Sequence, residues 1–169
     1  AATAVTAVTA AAAAAAATSQ NTSDSSGRTT KAATTQQIRT AIEARLATEM
    51  ANAPAYTVAF QNVPFTPPNN TSWVQSSITF GIHESATLQA PTSGYNKHNG
   101  ELIVNVFTPQ GVGSGANYTI AERIKDLFHR QTVSQIIFGD TVGPSQVSPA
   151  SPQPFFQTEL SFIFEAWLQ

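Results

Sequence analysis

The stretch "FTPQGVGSGANYTIAERIKDLF", residues 107–128, holds the residue types that come nearest to chemistry. Gly111, Gly113 and Gly115 follow a short apolar run and precede a helical pattern, the outline of a phosphate-cradling loop. A G-x-x-x-x-G-K-[ST] loop needs a lysine for the outer phosphates and a hydroxyl for Mg²⁺. Here "ANYT" follows the glycines, and the next lysine is Lys125. The dinucleotide pattern G-x-G-x-x-G opens its helix on the third glycine, and "GVGSGAN" places that glycine one residue early. Asp126 follows about ten residues later, where a ribose contact needs roughly twenty. The positive end of the helix still suits an anion. A small nucleotide- or phosphate-binding enzyme is therefore one reading, and a tight strand-to-helix turn is the other.

Other reactive types do not converge. His83, His98 and His129 have no zinc-ligand spacing, since none lies three to five residues from another. His83 and Glu84 are adjacent, so a strand points them to opposite faces. His98 falls in a polar loop, and His129 at a helix end, where a cation complements the dipole. Glu159 and Glu165 share one face of a strand, but six residues at about 3.3 Å each separate them by roughly 20 Å. The chain has no cysteine, which excludes a disulfide scaffold and a thiolate metal site. No catalytic residue, cofactor or metal is expected. With a net charge of −2 and 11% charged residues, the composition offers no basic surface to grip nucleic acid.

The elements that must hold these residues divide the 169-residue chain in two. Residues 1–37 are almost entirely Ala, Thr, Ser, Gln and Asn, with no large apolar side chain to dock. They read as a flexible arm, one that could order on a neighbouring subunit. Ala and Thr are too weakly apolar for a membrane span, and the basic start of a signal peptide is lacking.

Residues 38–169 read as one α+β domain. Ile38, Ala41, Ile42, Leu46 and Met50 form one helical stripe, capped at Thr34 or Thr35 and stopped by Pro54. Strands are expected at residues 56–61, 73–82, 100–109 and 132–140, with the apolar run at 102–107 central in the sheet. Val74, Ile78, Phe80 and Ile82 share one face of the second strand. Residues 83–99 and 141–154 read as loops. Ile120, Ile124, Leu127 and Phe128 mark a second helix starting near Asn117 or Thr119. The C-terminal strand alternates strictly: Phe156, Thr158, Leu160, Phe162, Phe164, Ala166 and Leu168 face one way. The expected architecture is a largely antiparallel sheet of four to five strands with both helices on one face.

Several apolar residues lie outside this core. Ile163 and Trp167 occupy the outer face of the last strand. Pro64, Phe65, Pro67, Pro68 and Trp73 surround a proline-rich loop. Such residues, with the turn at Gly111, Gly113 and Gly115, are candidates for a protein interface.

The order of these features resembles the tail terminator proteins of long-tailed bacteriophages. The resemblance rests on "NVPFTPP" followed by a tryptophan, and on "FTPQGVGSGA" leading into a helix that ends in phenylalanine. It runs from about Ile38 to the C-terminus and leaves the arm outside. The family resemblance implies a structural virion protein, assembled in the host cytoplasm, with no catalysis, cofactor or membrane. It implies a homo-oligomeric ring, typically of six subunits, on the head-proximal end of the tail tube. Its partners would be the tail tube protein and the head connector, with DNA passing through the channel without specific binding. A neck or head-tail adaptor, or a tail-completion protein, is the rival reading.

Overall fold

A computed structural model of the chain describes residues 34–85, 96–148 and 154–168. Most of the expected arm, and residues 86–95 and 149–153 of the expected loops, lie outside the described residues. The elements run α1 (Thr34–Ala51), β1 (Thr57–Ala59), β2 (Trp73–Ser85), β3 (Asn96–Pro109), α2 (Gly115–Phe128), β4 (Thr132–Val133), β5 (Ile136–Val147) and β6 (Phe155–Leu168). They form one six-stranded sheet in the order β1-β2-β3-β6-β5-β4. Every pairing is antiparallel except β1 with β2.

β3 is central, as its apolar composition required, and hydrogen-bonds to β2 and β6 along its length. Leu102, Val104 and Val106 face the helices together with Leu160, Phe162 and Phe164 of β6. Both helices cover this face. α1 buries Ile38, Ile42, Leu46 and Met50, and α2 buries Ile120, Ala121, Ile124 and Phe128. The two helices are antiparallel: Glu49 of α1 meets Arg123 of α2, while the earlier Arg45 meets the later Leu127. No helix among the described residues is long and apolar enough to cross a membrane.

Four expectations need correction. The segment 132–140 is two strands, because Ser134 takes a positive φ of 58° and turns the chain back within two residues. Residues 141–147 continue β5 instead of looping. Pro144 is tolerated there because it lies at one of two register shifts against β6, on a stretch of β5 that β4 does not pair. The β2–β3 hairpin also extends beyond the expected strands, to Ser85 and from Asn96, which places His98 in β3 and not in a loop. Finally, Ile82 leaves the buried face of β2. A bulge between Phe80 and His83 inserts one residue, and Ile82 is 69% exposed.

Candidate assembly surfaces

At one end of the sheet, a compact aromatic cluster fastens the proline-rich loop. The Trp73 indole stacks on Phe107 with centroids 4.0 Å apart and planes within 5°. Phe65 lies 4.9 Å from Trp73, and Phe155 meets both Trp73 and Phe107 edge-on. These rings sit on the sheet face opposite the helices, forming a second, smaller core with Ala59. Trp73 is therefore buried inside the subunit, and Phe65 is half-buried against it. Neither is the free aromatic anchor that the sequence suggested. What the loop does present is its backbone and prolines: Pro64 is exposed, and Pro67 and Pro68 are half-buried.

The glycine-rich turn arrives at the same end. Pro67, Pro68, Asn69, Asn70, Pro109, Pro154 and Phe155 line a cleft of about 350 Å³, with no ionisable side chain among them. Gly111 and Gly113 take φ of +88° and +87°, and a Cβ on either would meet nothing within 4 Å. They are needed for backbone conformation and not for close approach of another group. Gly115 opens α2, earlier than expected. Ser114, at the N-cap, makes no side-chain capping bond.

The residue that anchors this helix start is Asn117, fully buried in the first turn of α2. Its Nδ2 is directed at the Val106 carbonyl (3.0 Å), Thr108 Oγ1 (3.3 Å) and the Phe156 carbonyl (3.4 Å), while its Oδ1 accepts from the Thr158 hydroxyl. The sequence marks Asn117 only as a candidate cap. Its signal is a polar residue at i−3 of the apolar stripe, facing inward. Lys125 lies about 15 Å along the helix from Gly115 at 1.5 Å per residue, and it pairs with Glu122 at 2.8 Å. Arg123 is committed to Glu49 and to the carbonyls of Glu49, Asn52 and Pro54. Among the described residues, no cation reaches the turn to hold a phosphate.

The opposite end of the sheet, roughly 40 Å away along β3 from Pro109 to Lys97, has a different character. Ile163 is 58% exposed, Trp167 39% and Ile137 48%. Glu165 stands between them in register with Ile137, and binds Lys97 at 2.8 Å. The Lys97 ammonium also sits 5.7 Å from the Trp167 ring centroid, a cation–π contact that holds the indole at the surface. Beyond them His83 and His98 face each other across β2 and β3, rings 4.2 Å apart. His129, following α2, accepts the Thr141 N–H on Nδ1 at 3.2 Å. The expected site residues thus separate into two groups. Pro64, Phe65, Pro67, Pro68, Trp73, Gly111, Gly113 and Gly115 gather at one end, and Ile163 and Trp167 stand towards the other.

No curated protein matches the chain. A solved structure shares the fold: at 22% identity and a TM-score of 0.59, the match covers 81% of this chain and 98% of that one. The family model described as phage tail terminator protein matches residues 37–154.

Proposed function

The chain belongs to the phage tail terminator family, a family of structural tail proteins, and from that premise we propose that it caps the tail tube. Copies of the subunit close into a ring, typically a hexamer, on the head-proximal end of the tube. The ring stops tube polymerisation and presents the surface to which the head connector joins, with DNA passing through its channel. The observation that carries this reading is the family match across residues 37–154.

The geometry supports it. A closed ring of identical subunits requires two different patches on each, one meeting the complement of the other. This subunit has unlike ends: a neutral one of prolines, glycines and asparagines, and an apolar one of Ile137, Ile163 and Trp167 flanking a salt bridge. The arm expected at residues 1–37, whose last four residues belong to α1, gains contacts only when the ring assembles.

Light scattering on the purified protein, with and without tail tube protein, tests the reading. A discrete hexamer, or a monomer that becomes a ring-sized complex on tube ends, is expected. A lasting monomer indifferent to tube protein would overturn it. Binding to connector protein alone would replace it with the adaptor role.

A further inference from the structure

The two helices bury one face of the sheet, and beyond the aromatic cluster that covers one end of it the other face is open to solvent. Across the middle of the open face, Gln75, Asn105 and Glu159 form one row, and Ser77, Ile103 and Ser161 the next. None of them is fully buried. The polar groups serve one another: Gln157 Nε2 donates to Asn105 Oδ1 at 2.8 Å, and the Ser161 hydroxyl donates to the Glu101 carboxylate. A protein contact centred here would have to strip water from Glu101 and Glu159, and interface centres are depleted in such charges. This is a surface built to stay wet.

Its charge is one-sided as well. Arg39 and Arg45 lie on α1, Arg123 and Lys125 on α2, and Arg130 in the turn after α2. Lys97 is the one cation that the described strands carry, and Glu165 engages it. Binding of duplex DNA depends on Lys and Arg neutralising phosphates and releasing counterions. A hydrated face rich in carboxylates and without an uncommitted cation repels that polyanion instead.

We infer that this open face, centred on Glu159, forms the wall of the ring's channel and faces duplex DNA in transit. The inference rests on the ring proposed above. The helices, with their cations, then point away from the channel.

The cysteine-free sequence makes the test direct, because any introduced thiol is the sole one. Glu159→Cys on the open face and Glu122→Cys on exposed α2 are each labelled with a short-linker biotin-maleimide, then challenged with streptavidin, which is wider than a DNA duplex. In the assembled ring both positions should take biotin. Streptavidin should capture the Glu159→Cys ring at least tenfold less than the Glu122→Cys ring, and the difference should vanish in dissociated subunits. Equal capture would place the face on the outside and overturn the inference. Failure of biotin to react in the ring would place the face in a subunit contact, and would overturn the inference equally. If Glu159→Cys does not assemble, Gln75→Cys in the same row is the second variant; loss of assembly by both, while the parent forms rings, also means a contact. A parent that never forms rings defeats the functional proposal itself, an outcome that light scattering separates from the others.

Discussion

Asn117 ties three segments together with one side chain: β3 through Val106 and Thr108, β6 through Phe156 and Thr158, and the start of α2 on which it sits. A buried amide of this kind is costly to lose, because each former partner keeps its desolvation penalty. Asn117→Ala is expected to lower unfolding free energy by about 2–3 kcal/mol in urea titrations. Ser114→Ala, at an N-cap that makes no capping bond, should stay within about 0.5 kcal/mol of the parent. Equal effects at the two positions would mean that Asn117 anchors nothing. Gly100 shows the same economy of scale. A Cβ there would lie 2.3 Å from the Phe164 ring and 2.8 Å from the Thr79 carbonyl, so the missing side chain is the space that the ring occupies.

Between elements, the two helices are joined by ions as well as by apolar contact. Arg123 reaches from α2 to the C-terminal end of α1, where it pairs with Glu49 at 2.6 Å and donates to the carbonyls of Glu49, in the last turn, and of Asn52 and Pro54, just beyond it. The Arg123 hydrogen bond is the first cause that holds the Glu49 carboxyl below its usual range; burial pushes back more weakly. The folded state then binds fewer protons than the unfolded state in the window from the ordinary glutamate pKa, about 4.3, downward. Stability contributed by this pair is full above that window and is lost as pH falls through the folded pKa. Glu49→Gln is therefore expected to reduce the melting temperature at pH 7, with the difference from the parent shrinking as pH approaches 3. Burial raises the Glu43 carboxyl and so opposes this trend, but it does so in parent and variant alike. A difference that stays constant with pH would show that the pair contributes no charge-dependent stability.

For the whole molecule, what matters is how little of each end the subunit itself uses. Trp167 is held by Lys97 at the surface, and its removal forfeits a cation–π contact worth about 1 kcal/mol at such a site. Trp167→Ala should therefore leave the monomer folded, with a loss of stability no greater than that. It should reduce capture on tube ends by more than tenfold if this end is a contact surface, because buried tryptophans dominate interface energies. Unchanged capture by a sedimentation assay would remove Trp167 from the assembly surfaces. Trp73 is the contrasting case. Packed between Phe65 and Phe107, it belongs to the subunit's own second core, and its loss would act through folding.

Local rules were enough for much of this. The stripe at Ile38, Ile42, Leu46 and Met50, the stripe along α2 and the alternation of β6 are periodicities that a helix or strand imposes on any amphipathic segment. The α+β class with helices on one face followed from needing a cover for those apolar sides. The glycine turn could be separated from a phosphate loop because the absence of a nearby lysine is itself a sequence fact. Other outcomes depended on which strands meet. Whether Trp73 was an anchor or a core residue turned on Phe107 and Phe155, thirty-four and eighty-two positions away, reaching it across the sheet. β5 persists through Gly143 and Pro144 because β6 supplies a partner on one side, and pairing outweighs the local preference for a turn. Ile82 left the core through a single-residue bulge, since one inserted residue reverses the faces of everything after it. The open, carboxylate-bearing face has the most remote origin of all. Its residues lie on strands distant in sequence, and only the order β2-β3-β6 brings Gln75, Asn105 and Glu159 into one row.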